Sequence, residues 1–168
     1  LSLFMTTTLT PTGAPQQQAM NPVLNVNLQE LLNTLFMVLT DKEVTVVKRR
    51  FALMGQPKQT LEKIGKQFKV TRERIRQIES IALSKLRRTV RTTRLDEVNE
   101  VAKSILRAHG GLMREDDLLS MVLKRIHGAA AVDGSVLRLS FSIDTEMSST
   151  GRSQTFVPFW RVTSLSSE

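Results

Sequence analysis

The stretch "GKQFKVTRERIRQIE", residues 65–79, carries seven charged side chains in fifteen residues, yet Phe68, Val70, Ile75 and Ile78 keep a regular apolar beat through it. The spacing over residues 61–80 is that of a helix-turn-helix. Two helices of this motif cross closely, so one position in the first helix must be very small. Gly65 supplies it, with Ile64 and Phe68 filling the core beside it. Val70 falls in the turn, and Ile75 and Ile78 pack the second helix back onto the first. Many such motifs carry Gly at the turn position held here by Lys69.

The opposite face of the second helix has a different chemistry. Arg72, Glu73, Arg76, Gln77 and Ser80 fall within an arc of about 140° at 100° per residue. Ile75, Ile78, Ala82 and Leu86 lie on the other side, and Leu83 falls off that stripe with no reason visible in the sequence. Arg pairs bidentately with guanine, Gln with adenine, and Glu accepts from the cytosine amino group. Recognition helices enter the major groove by their N-terminal turns, where Arg72, Glu73, Arg76 and Gln77 sit. Lys66, Lys69, Arg74, Lys85, Arg87 and Arg88, with the helix-opening Thr60 and Thr71, complete a set suited to backbone phosphates. A surface that only attracts anions has no use for Glu73, so the mixed sign favours base reading.

Charge over the whole chain agrees. The 168 residues carry a net +8. Residues 60–94 hold eleven Lys or Arg against three Glu, and the remainder balances thirteen basic with thirteen acidic residues. Excess charge concentrated in one window points to a polyanion, nucleic acid before acidic lipid. A merely solvated helix face mixes its signs more evenly. With no Cys, neither a disulfide framework nor a thiolate metal site is available, which fits a reducing cytoplasm. The longest apolar run, Leu35 to Leu39, is too short to span a bilayer. The opening "LSLFM" has no basic leader or cleavage pattern, so no signal peptide is expected.

Periodicity divides the chain into a flexible leader (1–26), a helix-turn-helix domain (27–90), a linker (91–96) and a second small domain (97–165). The leader is rich in Thr, Gln and Pro. A helix is predicted over 28–39 from Leu28, Leu31, Leu32, Leu35, Phe36 and Leu39, and a second from Thr40, with Val44, Val47, Phe51 and Leu53 on its apolar side. Thr60 and Thr71 are the expected caps of the next two helices, the latter running to about Arg88. Beyond residue 97 the pattern reads helix, helix, short helix ("SVLRLSF"), then β-like ends in "TFVPFWRV". That order is a winged-helix plan, so the expected fold class is mainly α, a helix-turn-helix four-helix domain plus a small winged-helix-like α(+β) domain. Phe159 and Trp160 are expected in its core. This unit is not notably basic, so protein contact is as open to it as DNA contact.

The stretch "TLEKIGKQFKVTRERIRQIESIALSKLRR" resembles region four of primary-type bacterial sigma factors, the subunits that direct RNA polymerase to promoters. "LQELLNTL" and "LTDKEVTVVKRRFAL" resemble the first half of that region, so the likeness covers about residues 28–88. The resemblance implies that Arg72, Glu73, Arg76 and Gln77 read the minus thirty-five promoter element. It also implies docking of residues 28–54 on the flap tip of the polymerase β subunit, through Leu31, Leu32, Leu35 and Phe36. Lys63 departs from a position usually acidic in that family, and Ile81 and Ser84 from positions often basic. No stretch resembles the family's regions two or three, so the chain alone is not expected to open a promoter. Residues 97–165 more faintly resemble the winged-helix domain of the RNA polymerase delta subunit.

No enzyme, cofactor, metal or small-molecule substrate is expected. His109 and His127 each precede Gly and read as capping residues, and Asp116-Asp117 as first-turn charge of a helix. No glycine loop for phosphates is present. Two other readings stand beside the sigma-like one: a free helix-turn-helix regulator, and a polymerase-bound adaptor.

Overall fold

The computed structural model describes residues 23–151 and 157–163. The leader expected at 1–26 therefore lies almost entirely outside the described residues. Its last part is packed: Val26 is buried, and Leu24 forms a parallel bridge with Ile126.

Helix α1, Leu28–Phe36, starts at Asn27, whose side chain accepts hydrogen bonds from the amides of Gln29 (3.0 Å) and Glu30 (3.2 Å). It stops short of the expected Leu39, because the chain must turn before the next cap, Thr40. Helix α2, Asp41–Arg50, opens with a capping box. Thr40 Oγ1 accepts from the Glu43 amide at 3.4 Å, and Glu43 Oε2 accepts from the Thr40 amide at 2.9 Å. A 3-10 turn at Leu53–Gly55 leads through an extended loop to α3, Leu61–Phe68, and then α4, Arg72–Thr89.

Residues 91–96, expected as a linker, are instead built into the fold. Val90–Thr92 is a 3-10 turn with Val90 buried, and Leu95, 1% exposed, begins helix α5, Leu95–Ala108. Strand β1 (Leu112–Arg114), α6 (Glu115–Leu123), α7 (Gly134–Ile143), β2 (Met147–Thr150) and β3 (Phe159–Val162) follow. The strands form an antiparallel sheet in the order β1-β3-β2, pairing Met113 with Trp160 and Ser149 with Trp160. Helix, strand, two helices and a closing hairpin are a winged-helix arrangement. Only β3 was visible as a strand in the sequence. Trp160 is buried, edge-on to Phe141 with ring centroids 5.5 Å apart, and its indole N–H donates to Glu115 (3.1 Å).

Two apolar cores hold these elements, and the division between them does not fall at a linker. A small one joins Val46, Ile64, Ile75 and Ile78, with Leu61, Phe68 and Val70 against it. The large one runs from Leu28, Leu32, Leu35 and Phe36 of α1 through Val47, Ala82 and Leu86 to α5, α6, α7 and the sheet. Helix α4 therefore spans both: its first half belongs to the small core and its second half to the large one. Leu83, unexplained by periodicity, packs half-buried on the large core.

Polar contacts reinforce the large core. Gln29 donates to Asp133 (2.8 Å), and Arg94 donates to the Asn25 carbonyl (3.0 Å). The buried Asn99 and Ser140 side chains satisfy each other through Ser140 Oγ donating to Asn99 Oδ1 at 2.6 Å. Lys103 is buried beside Glu100, Asp144 (3.5 Å) and Glu146 (2.9 Å). Burial alone disfavours its charge, but the hydrogen bonds to Glu100 and Glu146 prevail and raise its pKa.

Candidate nucleic-acid interface

The α3–α4 pair is built as its spacing requires. Thr60 Oγ1 accepts from the Lys63 amide (3.2 Å) and Thr71 Oγ1 from the Arg74 amide (3.1 Å), so both helices start on a threonine cap. Gly65 is buried, and a Cβ there would stand 2.8 Å from the Val70 carbonyl oxygen. Ile64, Gly65, Phe68, Val70, Ile75 and Ile78 thus meet as expected, Phe68 and Val70 being only half-buried. Lys69 ends α3 in the left-handed conformation (φ 54°, ψ 41°), doing with a side chain what Gly does more cheaply.

Arg72, Glu73, Arg76 and Gln77 are all exposed at the start of α4, while Ile75 and Ile78 point inward. Glu73 and Arg76 pair with each other, and Gln77 pairs with the neighbouring Arg74. Glu73 accepts from Arg76 Nε (2.9 Å) and Nη2 (2.7 Å), and Gln77 Oε1 accepts from Arg74 Nη1 (3.2 Å). The Arg76 hydrogen bond lowers the Glu73 pKa, and the Arg76 pKa is raised in turn. Exposed pairs of this kind are weak, so these groups remain free to exchange partners with a ligand. Lys66 stands likewise, 2.9 Å from Glu62 on the exposed face of α3.

Thr60, Thr71, Lys66, Lys69 and Arg74 are exposed around the same end of the motif, and Arg87 and Arg88 are exposed at the far end of α4. Arg87 lies fifteen residues beyond Arg72, roughly 22 Å along the axis. Lys85 is different from the rest of the expected phosphate set. Its ammonium sits 2.9 Å from both carboxylate oxygens of Glu43, whose side chain is 11% exposed. It joins α4 to α2 rather than facing outward with the other cations.

The expected docking residues are also placed otherwise. Leu32 and Leu35 are fully buried and Phe36 is 7% exposed, all within the large core, with Leu31 half-buried against it. An amphipathic stripe shows which side of α1 must be covered, and here the chain itself covers it. Exposed apolar side chains stand instead just beyond the helix end, at Met37 (83%) and Val38 (43%).

The second helix pair, α6–α7, offers no comparable surface. Its later helix, the one that would enter a groove in this motif, buries Gly134, Val136, Leu137, Leu139, Ser140, Phe141 and Ile143. The remaining Ser135, Arg138 and Ser142 are only half-exposed, and Arg138 is paired with Glu115 at 2.7 Å. His109 caps α5 as expected, its Nδ1 lying 2.8 Å from the Ile105 carbonyl. His127 lies beyond α6, and its backbone amide donates to Leu24.

A capped helix pair with four polar residues on one exposed helix start is a helix-turn-helix. Comparison with known proteins narrows the class. Residues 35–88 match the family described as sigma-70, region 4. The chain is also 55% identical over 60 residues to RNA polymerase sigma factor SigA of Lactococcus lactis subsp. cremoris, an alignment covering 36% of this chain and 16% of that protein. Residues 35–88 are therefore similar to region 4 of sigma-70 type factors. The chain spans less than a fifth of the length of that relative, and the family match ends before α5.

Proposed function

We propose that this chain binds double-stranded DNA in transcription initiation, reading a promoter element of the minus thirty-five type through α4 and associating with RNA polymerase. The observation that carries this reading is the exposure of Arg72, Glu73, Arg76 and Gln77 together at the capped start of α4, within the stretch similar to region 4. In this reading Arg76 and Gln77 leave their partners Glu73 and Arg74 for base edges. Thr60, Lys66, Lys69, Thr71 and Arg74 take phosphates beside them, and Arg87 and Arg88 extend the positive field. The polymerase contact falls on the β-subunit flap tip, with the exposed Met37 and Val38 as apolar anchors in place of the buried Leu32, Leu35 and Phe36. The winged-helix unit acts as a rigid extension of the DNA-binding domain, since α7 is used inside the molecule. The site of action is the cytoplasm, where promoter DNA and polymerase meet.

Selection from a random-sequence duplex pool, with and without core RNA polymerase, tests this directly. The expected result is retention on polymerase and enrichment of one short motif. Enrichment without retention would favour a free helix-turn-helix regulator, and retention without enrichment an adaptor.

A further inference from the structure

Two ion pairs link α2 to α4, behind the helix face that carries Arg72, Glu73, Arg76 and Gln77, and Glu79 borders the same surface cleft as Arg76. Glu43 holds Lys85 at 2.9 Å, and Arg50 Nε donates to Glu79 Oε1 at 3.0 Å. Glu43 and Arg50 lie seven residues apart on α2, roughly 10 Å, and Glu79 and Lys85 six apart on α4, roughly 9 Å. On each helix the carboxylate precedes the cation, and because the pairing order is reversed between the helices each charge meets its opposite. Arg50 makes a third attachment, its Nη1 donating to the Gln59 carbonyl (3.0 Å) just before the Thr60 cap of α3. One guanidinium thus grips α4 and the chain entering α3.

We propose that these pairs are positioning residues for base reading: Glu43–Lys85 and Arg50–Glu79 set the rotation and register at which α4 presents Arg76 and Gln77 to DNA. The apolar contact beneath, Val46 against Ile75 and Ile78, is non-directional and tolerates small rotations. Hydrogen-bonded charge pairs are directional and narrow that freedom, and fixing register is the best-attested role of buried polar and ionic groups. A rotation of about 20° carries a side chain at the helix's roughly 6 Å outer radius through about 2 Å. That is enough to break a bidentate hydrogen bond. Three of the four side chains are largely covered, Glu43 at 11%, Glu79 at 14% and Arg50 at 25% exposed, while Lys85 at 37% keeps part of its stem in solvent. The inference rests on the DNA reading above and adds to it the residues that aim the helix.

Glu43→Gln and Glu79→Gln test it in the full chain. Glutamine at position 43 can still accept the Thr40 amide, so the cap of α2 is kept while the pair to Lys85 is lost. The probes are a duplex enriched by the unaltered chain and the unselected duplex pool. Each variant should bind the enriched duplex about tenfold more weakly, the scale of one good base contact. Affinity for the pool should stay within about twofold and its salt slope should not change. Lys85→Gln should behave in the same way. If Lys85→Gln instead weakens both probes equally and reduces the salt slope by about one, Lys85 is a phosphate ligand and the proposal fails. It also fails if the losses in Glu43→Gln and Glu79→Gln are equal on both probes, or appear only where the thermal midpoint has fallen. Failure of the unaltered chain to enrich any sequence would defeat the DNA reading itself, and is scored before any variant.

Discussion

The Val70 carbonyl oxygen lies 2.8 Å from where a Cβ on Gly65 would stand, and the Val70 amide donates to the Gly65 carbonyl at 2.9 Å. The turn is closed directly over the glycine, and the obstacle is backbone, which cannot swing aside as a side chain can. Gly65→Ala should therefore cost about 1–3 kcal/mol, the usual range for overpacking a filled site. Urea unfolding would show it. A variant as stable as the parent would mean that the turn can open without penalty.

Lys69 makes the opposite case. Its left-handed backbone (φ 54°) is strained for a residue with a Cβ. Lys69→Gly relieves that strain but adds unfolded-state freedom, so a net gain of about 0.5–1 kcal/mol is expected. Lys69→Val should destabilise, because a β-branched side chain is least tolerated there. Thermal melts of the two variants should move in opposite directions.

These two residues also show what the sequence made legible. The helix-turn-helix is local: a small residue at 65, threonine caps at 60 and 71, and a 3.6-residue beat all lie within twenty residues. The outward face of α4 follows from the same beat. What escaped prediction depends on partners distant in the chain. Glu43 and Lys85 are 42 residues apart, and nothing in their own neighbourhoods distinguishes a bracing lysine from a phosphate-binding one. The apolar stripe of Leu32, Leu35 and Phe36 announced burial but not the identity of its cover. Strand β1 has only three residues, too few to show alternation.

Sharing of α4 between the two cores predicts cooperative unfolding. Leu86, fully buried in the large core, should cost about 2–5 kcal/mol when cut to alanine. The chain has a single Trp, at 160, on the far side of that core. Its fluorescence and the helical circular dichroism should lose signal together in denaturant, in the parent and in Leu86→Ala. Two separated transitions would show that the halves unfold independently.

Acid should weaken the fold through two carboxylates. Burial pushes Glu43 up, but hydrogen bonds from the Thr40 amide and Lys85 outweigh it, and its pKa lies below the ordinary 4.5. The hydrogen bond from Lys103 lowers Glu146 likewise. A carboxyl depressed in the folded state contributes stability above its unfolded value, lost as the pH falls through the folded one. The urea midpoint should therefore drop below about pH 4.5, and Glu43→Gln should make that drop shallower. An unchanged slope in the variant would remove Glu43 from the account.

The division of α4 has a consequence during synthesis. Its first half closes against α3 using residues 61–78, which leave the ribosome early and need no later partner. Ala82 and Leu86 must wait for the cover supplied by residues 95–162. At roughly 5–20 residues per second that interval is about 4–15 s. For those seconds the nascent chain carries a formed helix-turn-helix and an unclosed apolar flank, the period when a chaperone has most reason to engage it.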